Sequence, residues 1–137
     1  MSGMLVDSNV ILDIFENNPK WADWSESVLH RHSMIHTLYI NPVIYSEISV
    51  GFKRIEELEE AIAGCEFQIL QIPREALFRA GKAFFEYRRR GGNKISPLPD
   101  FYIGAHAVVT GMSLITRDIS RFRSYFPSVR LITPEQT

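Results

Sequence analysis

Cysteine is nearly missing from this sequence; the only one is Cys65. A single thiol excludes an intramolecular disulfide and any zinc site built from several cysteine ligands. It makes a reducing cytosol the natural setting. An excess of one charge is missing too. Fifteen Lys and Arg face sixteen Asp and Glu, for a formal net charge of -1. No global attraction then draws the chain to nucleic acid or anionic lipid, and such binding has to come from a local patch. Long apolar runs are also absent. The longest charge-free stretch, Phe101 to Thr116, is interrupted by Gly104, His106 and Gly111. It is shorter than the ~20 residues that span a bilayer, so no membrane partner is expected. Neither a basic start nor an apolar segment with a small-residue cleavage site marks a secretory signal. The expectation is a soluble, cytoplasmic protein.

What is present is an ordinary globular composition, with 45% hydrophobic and 23% charged residues over 137 positions. That length suits one domain, residues 1–137, able to fold without a staple. Short apolar runs alternate with amphipathic ones. Met4–Val6, Met34–Ile40, Phe67–Ile72, Ser113–Thr116 and Val129–Ile132 read as strands. Helical spacing follows Ser8 to Phe15, Lys20 to His32, Pro42 to Val50, Ile55 to Ala63, Pro73 to Arg90, Asp100 to Val109 and Ile119 to Tyr125. Asn41-Pro42 is a cap followed by a first-turn proline. Alternation of this kind predicts an α/β fold, a three-layer α/β/α sandwich around a central, mostly parallel five-stranded sheet. Sites in such folds form beyond the carboxyl ends of the strands.

Acids stand at that edge. Asp7 follows the first strand and Asp118 the fourth; Asp100 opens a helix and Glu47 lies in the second turn after Asn41-Pro42. Each has an ordinary structural role open to it: strand terminator for Asp7, helix cap for Asp100 and Asp118, solvated helix acid for Glu47. Taken together they suggest more. Carboxylate pairs at ~4 Å repel by about 4 kcal/mol at an effective dielectric of 20, and a divalent cation removes that cost. Oxygen ligands with retained waters suit Mg²⁺ or Mn²⁺, and the chemistry of such a cluster is attack of activated water on a phosphodiester.

Four segments resemble the motifs of PIN-domain ribonucleases, specifically the small VapC-type toxins of prokaryotic toxin–antitoxin pairs. They are Met4-Leu5-Val6-Asp7-Ser8-Asn9, Tyr45-Ser46-Glu47-Ile48, Pro99-Asp100-Phe101-Tyr102-Ile103-Gly104-Ala105-His106-Ala107 and Leu114-Ile115-Thr116-Arg117-Asp118. They occur in the family's order and at family-like separations over nearly the whole chain. The resemblance implies a PIN-like fold and metal-dependent RNA cleavage. Asp7, Glu47, Asp100 and Asp118 would be the catalytic acids, with Asp7, Asp100 and Asp118 on Mg²⁺ or Mn²⁺. Ser8, Asn9 and Thr116 would support them by hydrogen bonding. It also implies an RNA substrate, a homodimer, and a cognate antitoxin protein, with Trp21–His32 and Val50–Ala63 as contact regions. Some relatives carry another acid beyond the fourth motif. Here Ile119-Ser120-Arg121-Phe122 has none, so fewer protein ligands are expected at any second metal position.

The densest cations are Arg88, Arg89 and Arg90 with Lys94; Arg117, Arg121 and Arg123 follow the fourth strand. If these rim the acids they suit phosphates, and Arg117 is the favoured contact because it adjoins Asp118. The triplet equally suits a helix C-terminus. His106, six residues beyond Asp100, reads as a packed or hydrogen-bonded core residue, and Asp13 as a surface or capping acid. Trp21, Trp24, Tyr39, Phe52, Phe84 and Phe85 read as core or interface before base-stacking groups. Two other functions compete: a catalytically inactive PIN-like module that binds RNA or protein, and a receiver-like domain that accepts phosphate on an aspartate. Receivers place a lysine after a late strand, where this chain has Thr116-Arg117-Asp118.

Overall fold

The computed structural model describes residues 3–134. Five strands form one sheet: β1 (Gly3–Val6), β2 (Thr37–Ile40), β3 (Gln68–Ile69), β4 (Ser113–Ile115) and β5 (Leu131–Ile132). Seven α-helices connect them among the described residues: α1 (Ser8–Phe15), α2 (Ala22–Ser33), α3 (Pro42–Ile48), α4 (Ile55–Gly64), α5 (Arg74–Arg89), α6 (Pro99–Thr110) and α7 (Ser120–Tyr125). The strand order is β3-β2-β1-β4-β5 and every pairing is parallel. The sheet is thus parallel throughout. Right-handed crossovers place α1 to α4 over one face and α5 to α7 over the other. Packing agrees: α1 meets α2 and α3, and α6 meets α5 and α7.

A strand covered on both faces needs apolar residues at every position. β1, at the centre, is buried along its whole length, and Leu5, Val6, Ile40, Leu114 and Ile115 have no exposure. Each such aliphatic side chain contributes roughly 1.5–3 kcal/mol through burial. α6 is apolar on nearly every side because sheet and helices enclose it. Gly104 lies under the Phe126 ring, where a Cβ would collide with it. Gly111 ends the helix at φ 73°, with Met112 N–H donating to Ala107 O and Gly111 N–H to Val108 O, a Schellman arrangement.

Several expected boundaries move. β2 begins at Thr37, because Ile35 N–H and His36 N–H bond back to His32 O and hold Met34 and Ile35 in an exposed turn. β3 is two residues long, as an edge strand paired only with β2 can be. α2 starts at Ala22, since the Asn18 side chain accepts from Lys20 N–H and Trp21 N–H just before it. α3 ends at Ile48 in a 3-10 turn, Ser49–Gly51, where Ser49 Oγ donates to Tyr45 O. No described helix is long and apolar enough to cross a membrane.

Candidate active site

The chain adds β2 and β3 on one side of β1, then crosses to add β4 and β5 on the other. The crevice at a parallel sheet's carboxyl edge opens at this reversal, between β1 and β4. Val6 is registered with Ile115, so Asp7 and Thr116 leave the sheet side by side. Asp7 N–H donates to Ile115 O at 2.9 Å, and Thr116 Oγ1 donates to Asp7 Oδ2 at 2.7 Å. Asp7, not Ser8, is the N-cap of α1: its Oδ1 accepts from Ser8 N–H at 2.8 Å. Both carboxylate oxygens of this buried residue are therefore engaged.

Ser8 is freed to face the other way, and its Oγ donates to Glu47 Oε1 at 2.8 Å. Glu47 is carried there by α3. Asn41 caps that helix by accepting from Ile44 N–H at 2.9 Å, Pro42 occupies its first turn, and Ile44 and Ile48 are buried in the core. Asp100 sits in the first turn of α6, behind Leu98 as N-cap and Pro99, so it is not itself the cap. Asp118 is exposed in the loop after β4, and α7 begins beyond it with Ile119 as cap residue. The Thr116 hydroxyl ties that loop down: it accepts from Asp118 N–H at 3.0 Å.

These acids sense one another. Burial pushes Asp7 up to about 7; Asp100 and Glu47 push the same way, against the hydrogen bonds from Thr116 and Ser8. Burial, then Asp118 and Glu47, raise Asp100 to about 6, while Arg121 draws it down. Two strands and two helices thus bring the four expected acids into one electrostatic cluster, with Ser8 and Thr116 bonded to them. Asn9 Oδ1 lies 3.4 Å from Arg117 N, on the loop leading to Asp118.

The expected cations stand differently. Arg117 is turned away from the acids into a two-point bond with Asp13, Nε to Oδ2 at 2.6 Å and Nη2 to Oδ1 at 2.9 Å, and lies over the Trp21 ring at 5.1 Å. Asp13 is 3% exposed and also accepts from Ser25 Oγ at 2.9 Å. It is an interior ion-pair partner, not a surface or capping acid. Arg89 and Arg90 bond to Glu86, and Arg88 donates to Lys94 O at 2.8 Å. The cation beside the acids is Arg121, its Nε 3.7 Å from Asp100 Oδ2. The signal against a surface or capping role for Asp13 was its place three residues after Val10, on the apolar side of a short helix. His106 is a core residue as expected. It is buried and neutral-favouring, and its Nδ1 accepts from Asn41 Nδ2 at 3.1 Å.

Among the described residues, no three His, Cys, Asp or Glu side chains already form a closed metal-binding group. The donor chemistry nevertheless fits a hard divalent cation. The donors are oxygens only, and buried carboxylates that raise one another's pKa are relieved by added positive charge.

The model of the PIN domain family matches residues 4–125. This chain belongs to that family. Solved structures share the fold of this PIN domain. A VapBC2 complex from Rickettsia felis, bound to a promoter DNA fragment, is 19% identical with a TM-score of 0.74, covering 96% of this chain and 98% of that one. A toxin–antitoxin complex from Klebsiella pneumoniae is 23% identical with a TM-score of 0.68, over 96% and 97%. VapBC-1 from nontypeable Haemophilus influenzae is 18% identical with a TM-score of 0.71, over 96% and 97%. No curated protein matches the chain significantly.

Proposed function

We propose that this PIN domain is a metal-dependent endoribonuclease and acts as the toxin of a toxin–antitoxin pair. The observation that carries the reading is the pair Asp7 and Asp100. Both are held at the sheet's switch point with pKa values raised to about 7 and about 6 by burial and by neighbouring carboxylates. Structural ion pairs lower carboxylate pKa values; carboxylates whose charged form burial and like charges disfavour are relieved by a bound cation.

Asp7, Asp100 and Asp118 would hold Mg²⁺ or Mn²⁺, which when bound lowers the pKa of water and offsets charge on a phosphodiester. The chain's own residues do the rest. Thr116 fixes the Asp7 carboxylate and the Asp118 loop through one hydroxyl. Ser8 holds Glu47 Oε1, and the Glu47 carboxylate would accept a proton from an attacking water. Deeply buried Asp7 binds and orients; the more open Asp100 and Asp118 face substrate.

A cognate antitoxin, a homodimeric state and a cytoplasmic setting belong to the same reading. The antitoxin is supported by the toxin–antitoxin complexes among the structures of like fold. The receiver-like alternative loses ground on topology: those doubly wound domains order their strands 2-1-3-4-5, whereas here the order is β3-β2-β1-β4-β5.

The test is cleavage of mixed cellular RNA by purified protein with Mg²⁺, Mn²⁺ or chelator, beside an Asp7→Asn, Asp100→Asn double variant. Discrete fragments that require metal and vanish in the variant are expected. Fragments that persist in the variant would mean a contaminating nuclease or another site. Absence of cleavage by folded protein across varied RNAs would move the binding-only module ahead.

A further inference from the structure

Next to Asp100 lies a trough that the carboxylates do not use. It is shallow and open, about 410 Å³ in volume, and lined by Tyr87, Ser120, Arg121, Ser124 and Tyr125. Phe101, the residue after Asp100, organises it. This ring is fully buried and makes edge contacts with Tyr87 at 5.8 Å and Tyr125 at 5.1 Å. The Arg121 guanidinium rests over Tyr87 at 5.6 Å and over Phe101 at 5.8 Å. Whatever fixes Asp100 therefore also fixes two phenol rings and a cation.

Arg121 differs from Arg117, Arg89 and Arg90 in keeping its guanidinium free of a close carboxylate. Arg117 is consumed by buried Asp13, and Arg89 and Arg90 by Glu86. Among the described residues Arg121 makes no hydrogen bond; its one ion pair, to Asp100, is long at 3.7 Å, and its side chain is 36% exposed. A guanidinium so placed keeps its N–H fork for an incoming anion. The trough also continues outward. Ser124 and Tyr125 also line a second hollow of about 330 Å³ that holds Lys82, with Arg79 and Arg90 paired to Glu75 and Glu86. Arg90 donates to Ser124 Oγ at 2.9 Å and lies 4.5 Å over the Tyr125 ring.

We propose that the Arg121–Tyr87–Tyr125 trough is a nucleotide subsite beside the acidic crevice. Arg121 holds the phosphate adjoining the scissile one, and a tyrosine ring takes the neighbouring base of a single-stranded RNA. The inference rests on the nuclease reading for its substrate class. Aromatic rings alternating with cations are what single strands require, because every base has a stacking face and every linkage a charge. A duplex, with its bases already stacked, has no use for the rings.

The test measures a fluorescent single-stranded oligoribonucleotide in two ways: anisotropy in chelator over a salt series, and cleavage with Mn²⁺. The proteins are the parent, Arg121→Gln, Arg121→Lys and Tyr125→Leu, each checked for folding by circular dichroism. Loss of one phosphate contact should lower the slope of log affinity against log salt by about 0.7 in Arg121→Gln. Its KM should rise about tenfold with kcat changed much less, and Arg121→Lys should restore the slope though not all the affinity. Tyr125→Leu should weaken binding about five- to tenfold with the slope unaltered. A parent that cleaves while Arg121→Gln keeps its KM and salt slope overturns the subsite and leaves the nuclease standing. A parent that binds with an Arg121-dependent slope yet never cleaves overturns the nuclease and leaves the subsite. No binding of single strands by any of the folded proteins overturns the subsite.

Discussion

Replacing Asp7 by asparagine should stabilise the cation-free protein at alkaline pH. In the unfolded chain the Asp7 carboxyl titrates near 3.8; in the folded protein it is raised to about 7. The folded state therefore keeps a proton that the unfolded state has lost. For an acid raised in this direction, stability is greatest at low pH and declines as pH rises from 3.8 toward 7, beyond which the full penalty applies. At ~1.4 kcal/mol per pH unit, the penalty is about 4 kcal/mol at pH 8 and about 2 kcal/mol at pH 5. The amide carries no charge and escapes it. Its cost is local: one carboxylate oxygen that accepted a hydrogen bond becomes an NH₂ donor. Ser8 N–H can keep the remaining oxygen, and the Thr116 hydroxyl can turn to accept, since it lies 3.2 Å from Asp118 O and can donate there. That exchange forfeits about 1 kcal/mol. The net expectation for Asp7→Asn in chelator is a gain of about 3 kcal/mol at pH 8, shrinking to about 1 kcal/mol at pH 5. Urea melts at the two pH values read it directly, and thermal melts at pH 8 should differ by roughly 10 °C. A variant less stable than the parent at pH 8, or a difference that does not change with pH, would refute the electrostatic reading of Asp7.

Other substitutions probe the frame around the acids. Arg117→Met strands the buried Asp13 carboxylate with Ser25 as its remaining partner, and should cost about 3 kcal/mol in urea melts; a loss below ~1 kcal/mol would contradict the buried pair. Thr116→Val keeps the shape of a fully buried residue but removes the hydroxyl joining Asp7 to the Asp118 loop. RNA cleavage should fall about tenfold to a hundredfold while the circular dichroism spectrum stays unchanged. Gly104→Ala drives a methyl group into the Phe126 ring and should destabilise by about 1–3 kcal/mol; an unchanged melt would show that the ring swings aside freely.

Much of the architecture is written locally. β1 and β4 end at an acid or a threonine-led polar turn, and Asp7 and Asn41 cap the helices that follow β1 and β2, so element order and the parallel sheet were legible. Asp7, Ser8 and Thr116 were legible as a group for the same reason: each sits at a strand end or helix start whose place a parallel sheet dictates, and Glu47 lies on the short helix that follows β2. What escaped depends on partners distant in sequence. Arg117 adjoins Asp118, yet its charge is spoken for by Asp13, 104 positions earlier; no local pattern shows that an arginine has been claimed. The converse holds for Arg121, whose neighbours Tyr87 and Asp100 come from α5 and α6. Edge strands are hard for a third reason. β3 and β5 pair with a single neighbour, and two hydrogen-bonded residues are enough, so apolar runs of four to six residues overstate them.

The central claim is that the carboxylates at the β1–β4 switch point hold protons that a divalent cation displaces. Titration calorimetry of Mn²⁺ in buffers of different ionisation enthalpy counts those protons. With Asp7 at about 7 and Asp100 at about 6, about one proton should leave per cation at pH 6.5 and about a tenth of one at pH 8. The Asp7→Asn, Asp100→Asn variant should release none and bind Mn²⁺ weakly. Equal binding by parent and variant, or cation uptake at pH 6.5 without proton release, would contradict the account.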